Sequence, residues 1–550
     1  MAFSKGDTWL WIASAILAVA LFYILNRQSG LKEQAKRLTC HIQLLNDELN
    51  ALKGDYSAFY SGEAYINVTH PFSYDLDIFG PRSIYQVLNR TVTTHGADTL
   101  AASLQYPYAT AELIAERQGS VKELSANPGF LHNFRVTGML HIEEHGADER
   151  LKRWLDMDDL FLGNRLINVL LYIVPLLSAL FVTLSIIQGT LHPGLILMLA
   201  INWSINIKYS KKIKESHYLV SENVKMIAKS EQLLQQITHE EFTSTALQNI
   251  KTDAANAIKS ITEFKKLVHL FNNRQNGMVG PLLNSLFMFD VNCMTRLEKW
   301  RVKYKTQIAG SLQLVAEMDK CCSYANYTFN HPDNIYPLVN NSTKTISAIG
   351  LKHPLIHKDV AVGNDCTLGE QEQFYMLTGA NMTGKSTFIR TIGTNIIFAY
   401  IGLPVPAVSF NVPLLKIFTS IRITDSVQDD VSYFKAELQR MQELMREVGN
   451  SATPYLILLD EPLRGTNSTD KQTGTKAIVE KLLSFNAIGI IATHDTGLCA
   501  MADNHRGKIT NYHFESEVTN GSLQFDYKLK PGGSTSNNAT ILMHMMGIID

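Results

Sequence analysis

The residues with the clearest chemical meaning lie between Thr378 and Thr387, where the sequence reads TGANMTGKST. This run fits G-x-x-x-x-G-K-[ST], a loop whose backbone N–H groups wrap the phosphates of a nucleoside triphosphate. Lys385 is predicted to reach the β- and γ-phosphates, and the Ser386 hydroxyl is predicted to hold Mg²⁺. The candidate nucleotide-binding residues are Gly379, Asn381, Met382, Thr383, Gly384, Lys385, Ser386 and Thr387.

Two carboxylates and a histidine follow apolar runs further along the chain. Asp460 and Glu461 come directly after residues 455–459, and His494 comes after residues 488–493. Asp460 is predicted to meet Mg²⁺, directly or through water, because such a strand lies beside the phosphate loop in these folds. Glu461 is then placed to orient or deprotonate the attacking water, and His494 to sense the γ-phosphate. Together these residues predict an ATPase that uses ATP and Mg²⁺.

These groups need a frame of strands and a helix. Residues 374–377 read as a buried strand before the loop, and the run after Thr387 reads as a helix. That strand–loop–helix order is the context that the loop motif requires. The apolar runs that precede Asp460 and His494 predict two further buried strands. We therefore predict a C-terminal P-loop α/β domain.

The surrounding residues resemble the MutS family of DNA mismatch-repair ATPases. The loop from Thr378 is similar to that family's TGPNM, the stretch from Ser432 to its STF-x-x-E-M, and the stretch from Asp460 to its DELGRGTST. Single matching positions flank these motifs, namely His353, Pro354, Leu355, Asn364, Asp365, Val405, Pro406, Ala407, Ile417, Phe418, Arg422, Asp425, Asp470, Thr493 and His494. The resemblance implies an ATPase that closes as a dimer, in which Ser432 completes the nucleotide site of the partner subunit.

Four positions depart from the family pattern. Ala380 replaces a Pro and Thr383 replaces a Gly of the loop, while Pro462 and Leu463 replace the Leu and Gly after the catalytic Glu. None of these changes removes a group that is expected to touch phosphate, metal or water. We therefore expect nucleotide binding and hydrolysis to be retained.

The N-terminal half resembles the same family more weakly. Residues 91–107 are similar to the T-x-T-x-x-G opening of the MutS core, or lever, and residues 112–124 to its next helix. The predicted fold class is therefore a helical MutS-like core with transmembrane helices, followed by the α/β ATPase domain. The Phe-x-Glu wedge with which the repair enzymes read a mismatch occurs nowhere in the sequence. The resemblance implies DNA as a partner, but we expect no mismatch specificity.

Three apolar runs predict transmembrane helices. Residues 9–25, 166–187 and 191–207 contain no Asp, Glu, Lys or Arg, and a helix of ~17–25 residues spans a bilayer. Basic residues follow the first run, precede the second and follow the third. The positive-inside rule then places residues 27–165 and 208–550 in the cytoplasm. We predict a multi-pass protein of the inner cell membrane, with its core and ATPase domains in the cytoplasm.

Composition bears on compartment and on partners. The six cysteines form no C-x-x-C pair, so a disulfide framework is not expected. The net charge of −1 gives no overall basic balance that would attract nucleic acid. An ATP-gated membrane scaffold that never binds DNA is therefore the alternative function. A subunit of an ATP-binding-cassette transporter is disfavoured because the sequence has no LSGGQ-like segment.

The predicted organisation places a heptad repeat beside the first membrane helix. In order, the parts are a transmembrane helix (1–26), a juxtamembrane segment (27–80), the first part of the core (81–165), a transmembrane hairpin (166–207), the second part of the core (208–330) and the ATPase domain (331–550). Within the juxtamembrane segment, apolar residues recur in heptads at Leu31, Leu38, Ile42, Leu45, Leu49 and Leu52. This spacing predicts either a short coiled-coil seam, which would favour a homodimer, or one amphipathic helix packed on the protein's own core.

Overall fold

The structure is a computed structural model that describes residues 5–141, 146–272, 274, 279–340, 344–369, 371–380, 382–422, 433–519 and 522–534. Asn381 and Ser432, two of the predicted site residues, lie outside these ranges. The described chain is helical up to Asn330 and then combines strands with helices. The predicted combination of a helical part with a mixed α and β part is confirmed.

Helices make up most of the described chain up to Asn330. They are α1 (Lys5–Leu52), α2 (Ile84–Leu88), α3 (Thr94–Gln105), α4 (Ala111–Ser125), α5 (Pro128–Leu140), α6 (Ala147–Leu155), α7 (Arg165–Gln188), α8 (Pro193–His239), α9 (Thr245–Asn272), α10 (Val279–Phe287) and α11 (Phe289–Asn330). They pack through apolar residues at helical spacing; in α9, Ala254, Ile261 and Phe264 are buried on one face. Buried side chains contributed by helices between α4 and α11 form the core of this part.

A buried carboxylate of α11 anchors the start of α3. Asp319 accepts hydrogen bonds from the backbone N–H groups of Val92 and Thr93 and from the Thr93 hydroxyl, at 2.7 to 3.1 Å. The Thr93 side chain also caps α3 by accepting from the N–H group of Gly96. A Cβ at Gly96 would lie 2.2 Å from the Asp319 carboxylate, so this position has room only for glycine. The T-x-T-x-x-G spacing thus has a structural role.

Strands after Asn330 form three sheets in the described residues. The strands are β1 (Leu338–Val339), β2 (Ile346–Leu351), β3 (Asn364–Leu368), β4 (Phe374–Thr378), β5 (Ser409–Val412), β6 (Lys416–Ser420), β7 (Tyr455–Asp460), β8 (Ala487–Ala492), β9 (Ile509–His513), β10 (Ser516–Thr519), β11 (Ser522–Phe525) and β12 (Lys530–Pro531). The sheets have the orders β12-β9-β4-β8-β7-β6, β1-β5-β2-β3 and β10-β11. The helices of this part are α12 (Lys385–Ile401), α13 (Tyr433–Gly449), α14 (Ser468–Leu482) and α15 (Met501–Asn504).

The central strands of the six-stranded sheet position the predicted site. β4, β8 and β7 are parallel neighbours in which every residue is buried, as expected of strands covered on both faces. Their register pairs Leu377 with Ala492 and Asp460 with Ala492, so their carboxyl ends lie at one edge of the sheet. The residues that follow these three strands are therefore brought together.

The segment between α1 and α2 packs on this sheet domain. Asp75 accepts hydrogen bonds from the Thr419 hydroxyl at 2.6 Å and from the N–H group of Arg422 at 2.7 Å. Asp77 Oδ2 lies 3.2 Å from Nη1 of Arg390, which belongs to α12. Because α12 begins directly after the predicted nucleotide loop, this segment connects the helical part to the candidate site.

Two described helices are long and apolar enough to cross a membrane, by length and composition alone: Trp11–Leu52, within α1, and Arg165–Gln188. The third predicted span, residues 191–207, forms no separate helix, because it runs into α8, which begins at Pro193 and continues past Lys208. From Pro193 to Ile207 a helix rises only ~22 Å, whereas the hydrocarbon core of a bilayer is ~30 Å thick. The three-span prediction is therefore corrected to two candidate helices.

One buried carboxylate fixes α1 to the helical part. Glu48 Oε1 lies 2.6 Å from Nε of Arg90 and 2.5 Å from Nη1 of Arg135. Glu48 Oε2 accepts hydrogen bonds from the side chains of Asn326 and Asn330 at 3.2 and 3.0 Å. Burial opposes the charge on Glu48, but the two guanidinium groups lower its pKa to about 2. The docking of α1 thus depends on an ionised Glu48.

Replacing Glu48 with Gln is expected to weaken the docking of α1 by about 3 to 5 kcal/mol, because two buried arginines lose their counter-charge. In the unmodified chain, this stabilisation should be complete above pH 4.5, the ordinary pKa of the group, and should be lost as the pH falls toward about 2. Hydrogen exchange of the α1 amides measures the docking. Glu33→Gln, at an exposed position of the same helix, is the control; equal exchange in both variants would contradict this role of Glu48.

Candidate functional site

A glycine loop, residues 379–384, connects β4 to α12. Gly379 has a φ of 141° and Gly384 a φ of 106°, which are conformations that suit glycine. A Cβ at Gly379 would lie 2.7 Å from the carbonyl oxygen of Phe514, so a larger residue would also collide there. α12 begins at Lys385, and the N–H groups of a first helical turn have no partner within the helix. The loop and the helix end together suit an anion.

Thr383 and Met382 occupy different environments in this loop. Thr383 is buried, and its hydroxyl donates to the carbonyl oxygen of Ala380 at 2.8 Å. Met382 is 81 % exposed and has a φ of 68°. The buried Thr383 side chain therefore stabilises the bend of the loop through its hydrogen bond, while the Met382 side chain is exposed to solvent.

Lys385 is buried beneath the loop. Its Nζ donates to the carbonyl oxygens of Gly379 at 2.7 Å and Ala380 at 2.8 Å. Burial lowers the pKa of Lys385 to about 8, although the charges of Asp460 and Glu461 oppose the shift. A neighbouring anion favours the charged form of an amine. A phosphate beside Nζ would therefore raise this pKa again.

Ser386 and Asp460 form a pair of oxygen ligands. The Ser386 hydroxyl donates to Oδ2 of Asp460, which ends β7. Mg²⁺ prefers oxygen ligands, and in phosphate-binding sites one or two protein groups suffice because phosphate and water supply the rest. A hydroxyl and a carboxylate in contact therefore fit the metal-binding role that the sequence predicts for them.

Glu461 combines a rare backbone conformation with three cationic or titratable neighbours. Its φ is 54°, and its N–H group donates to the carbonyl oxygen of Ala492 at 2.9 Å. Its carboxylate lies 2.8 Å from Nε of Arg464, 3.5 Å from Nζ of Lys471 and 3.4 Å from Nε2 of His494. A non-glycine residue in this conformation costs about 1–3 kcal/mol, and such residues cluster at functional sites.

His494 lies 3.4 Å from the Glu461 carboxylate and is also influenced by the charge of Lys385. Burial and the charge of Lys385 lower the pKa of His494, while Glu461 opposes that shift. The imidazole is therefore neutral at pH 7. A neutral imidazole can donate a hydrogen bond from one ring nitrogen and accept one at the other.

The backbone after Glu461 carries a second strained residue. Leu463 stands where the MutS pattern has glycine and has a φ of 62°, a conformation that costs most residues about 1–2 kcal/mol. Its side chain is buried and lies against Gly474 of α14, since a Cβ on that glycine would come within 2.5 Å of Leu463 Cδ1. The leucine that replaces the family glycine is thus packed in the interior, against α14.

A buried carboxylate ties α13 to the same loop. Glu437 of α13 accepts hydrogen bonds from the N–H groups of Arg464 and Gly465 at 3.1 and 3.3 Å. The described part of α13 begins one residue after Ser432. The helix that follows the predicted trans-acting serine is therefore connected to the loop that follows Glu461.

A cavity of about 540 Å³ lies beside the glycine loop. Its polar wall includes Lys385, Ser386, Asp460, Arg464 and His494. The rest of its lining is mostly apolar and includes Leu351, His353, Ile356, Val360, Val362, Phe388, Phe514 and Tyr527. A nucleotide has the same two halves, charged phosphates and an apolar base, so the cavity suits one.

The structure brings most of the described site residues to this cavity. Met382, Gly384 and Thr387 also line it, whereas Gly379, Thr383 and Glu461 are not among its lining residues. The sequence predicts no role for the apolar wall or for Arg464 and Lys471. His353 and Arg464 match positions of the family motifs, and this match is a signal in the sequence that could indicate their place in the site. Tyr527 lies outside any motif, and its carbonyl oxygen accepts a hydrogen bond from Asn364 at 3.0 Å.

Comparison with known proteins gives one consistent result. Residues 375–548 match the family model described as MutS domain V. The DNA mismatch repair protein MutS of Clostridium novyi is 24% identical over 514 residues, which cover 85% of this chain and 55% of that protein. The protein of the same name from Chlorobium chlorochromatii is 25% identical over 508 residues, covering 85% and 57%. That of Chloroflexus aurantiacus is 32% identical over 205 residues, covering 36% and 21%.

The chain thus spans little more than half the length of the first two relatives, and its match to the third covers 21% of that protein. The two longer alignments extend beyond the matched domain into the helical part. The resemblance seen in the motifs is confirmed by a match that covers most of the sequence. This chain belongs to the MutS family.

Proposed function

We propose that this chain is a membrane-attached, MutS-like ATPase that binds and hydrolyses ATP in a site shared by two copies. One observation carries the proposal: the Lys385 ammonium, the Ser386–Asp460 oxygen pair and the Glu461–His494 pair converge beside one cavity. Cation, oxygen ligands and base are the groups that phosphoryl transfer to water requires. Their spacing at the ends of three parallel strands supports a common task.

Each group has a distinct role in this proposal. The loop N–H groups and Lys385 bind the β- and γ-phosphates and stabilise the charge that develops on them. Ser386 and Asp460 would hold Mg²⁺, which neutralises phosphate charge when bound. Glu461 orients the attacking water and accepts its proton. His494, which is neutral and 3.4 Å from the Glu461 carboxylate, donates to the γ-phosphate and limits where that carboxylate can turn.

The second copy is proposed to supply Ser432 to the nucleotide of its partner. The helix after Ser432 is connected through Glu437 to the backbone of Arg464 and Gly465. A contact between Ser432 and the partner's γ-phosphate would therefore reach the loop beside Glu461 of its own chain. ATP bound in one subunit would in this way influence hydrolysis in the other.

Membrane attachment is proposed from the apolar side chains that α1 and α7 expose. Trp9, Phe22, Leu166 and Leu176 are between 66 and 75 % exposed, and large apolar surfaces are typical of contact with lipid or partners. The helices on both sides of the α7–α8 turn return to the same helical core. We therefore propose that α1 and α7 contact the inner membrane, with the core and the sheet domain in the cytoplasm.

DNA is proposed as a partner only through phosphate contacts. The relatives are named for DNA mismatch repair, but the sequence offers no Phe-x-Glu wedge to insert beside a mispaired base. Matched and mismatched duplexes should therefore bind equally and weakly, and affinity should fall steeply with salt. The measurement is the binding and the ATPase rate of the detergent-solubilised chain with matched, mismatched and branched DNA, at low and physiological salt.

The outcomes separate the two candidate functions. A strong preference for a mismatch at physiological salt would contradict the prediction and indicate mismatch repair. ATP hydrolysis that ignores every DNA, with no binding even at low salt, would favour an ATP-gated membrane scaffold. Lys385→Ala gives the background rate that belongs to contaminating ATPases.

A further inference from the structure

The second half of α1 carries an exposed apolar stripe, here called the α1 seam. Its members are between 43 and 65 % exposed: Leu31, Leu38, Ile42, Leu45, Leu49 and Leu52. They follow one another at steps of three, four or seven residues. With the leucines at Leu31, Leu38 and Leu45 in the d position of a heptad, Ile42 and Leu49 fall in the a position.

A different face of the same helix docks on the protein. Leu44 is buried against Val136 and Leu140 of α5. Lys36 Nζ donates to the Leu140 carbonyl oxygen at 2.9 Å, and Glu48 is held by its arginines as described above. α1 is thus fixed in one rotation, and that rotation turns the seam away from the core. Packing on the protein's own core does not explain the heptad spacing.

We propose that the α1 seam pairs with the same seam of a second copy of this chain, as a parallel two-stranded coiled coil. A β-branched residue at a, as at Ile42, with leucine at d favours two parallel strands. A two-fold axis along the pair brings each seam residue against its own counterpart, so one surface serves both partners. The heptad repeat therefore identifies the same helix of a second copy as the partner of the seam.

Charge distinguishes this surface from a lipid-facing one. Residues 9–25 of α1 contain no charged side chain, whereas the part that carries the seam also carries Lys32, Glu33, Lys36, Arg37, Asp47 and Glu48. A charged side chain inside a bilayer costs several kcal/mol, about 2.5–3.5 for Arg, Lys or Asp at a helix centre. The seam therefore lies in water, where a second apolar seam is the matching partner.

The seam gains strength from the dimer of the proposed function. About three heptads are marginal as an isolated coiled coil, because short helices pair weakly in water. A second contact between the same two chains raises their effective concentration and adds to the affinity. The pairing rests on the proposed function for this added strength alone, since no seam residue belongs to the nucleotide site.

Cysteine cross-linking of the full-length, detergent-solubilised chain tests the pairing. In a Cys40→Ser background, single cysteines replace Leu38 and Leu52 on the seam or Gln43 and Asn50 at exposed positions outside it. Disulfides require Cα atoms within about 7 Å, which a parallel pair provides at seam positions. We expect same-position dimers for Leu38→Cys and Leu52→Cys and only background dimer for Gln43→Cys and Asn50→Cys. An antiparallel pair would separate both seam cysteines from their counterparts and would contradict the proposal.

The same experiment separates this inference from the proposed function. Cross-linking at the seam should persist without nucleotide and in the Lys385→Ala variant. If the Lys385→Ala variant lost cross-linking at the seam as well as nucleotide binding, the seam would not pair by itself. This result would overturn the inference. Equal cross-linking at all four positions, cross-linking at none, or cross-links to a different protein would overturn it as well. Because the four substituted side chains are exposed, the fold of each variant can be checked by its unchanged circular dichroism.

Discussion

Lys385→Ala is expected to abolish ATP binding. The ammonium is the central cation of the glycine loop, and it is buried with two carbonyl oxygens as its only described hydrogen-bond partners. Each charge-assisted hydrogen bond from the ammonium to a phosphate oxygen contributes about 1.5–3 kcal/mol, so losing one to the β-phosphate and one to the γ-phosphate should weaken binding by about 100-fold or more. Binding of a fluorescent ATP analogue measures the effect. Lys385→Met, which keeps most of the side-chain volume, should bind as poorly as the alanine variant.

The pH dependence of the unmodified chain gives an independent check. Burial lowers the pKa of Lys385 to about 8, so the ammonium loses its proton as the pH rises through that value. ATP affinity should therefore be constant below pH 8 and should fall above it. The matched control is Lys476→Ala, at an exposed position of α14. Affinity in Lys385→Ala equal to that of this control would refute the assignment.

Glu461→Gln should keep ATP binding and slow hydrolysis by about 10²–10⁴-fold, the usual contribution of a positioned general base. Gln retains the shape of the side chain and can still accept a hydrogen bond from Arg464, but it cannot take a proton from water. Single-turnover hydrolysis measures the step directly. Glu480→Gln, at an exposed position of α14, should hydrolyse ATP at the unmodified rate.

The backbone at Glu461 gives a second, distinguishable variant. Glu461→Gly removes the carboxylate and also relieves the strain of a φ of 54°, worth about 1–3 kcal/mol. This variant should be as inactive as Glu461→Gln. It should also resist unfolding better, provided that the lost ion pair with Arg464 contributes less than the relieved strain. Hydrolysis at the unmodified rate in either variant would show that Glu461 is not the base.

Much of the candidate site could be predicted because its signals are local. Gly379, Gly384, Lys385 and Ser386 stand within eight consecutive residues, and a strand–loop–helix arrangement dictates where each of them points. Asp460 and Glu461 end an apolar run, and a buried parallel strand delivers its last residues to one edge of the sheet. The sequence by itself therefore determined the chemical groups, the α/β frame around them and the family.

Other features depend on residues that are far apart along the chain. The apolar wall of the cavity joins His353 to Tyr527, and no periodicity connects such distant positions. The docking of α1 depends on Glu48 meeting Arg90 and Arg135, which are 42 and 87 positions away. This contact, together with the packing of Leu44, decides which face of α1 is buried and which face carries the exposed seam.

The heptad spacing predicted a coiled coil and a core-packed helix equally well, since both need one apolar stripe. In the tertiary structure, the ion pairs of Glu48 and the packing of Leu44 lie on a different face of α1, so the apolar stripe is left exposed instead of packing on the core. In the same way, hydropathy predicted a third span, whereas the start of α8 at Pro193 shortens its apolar part. Sequence determines which side chains are available, but burial and ion pairing between distant segments decide which of them meet.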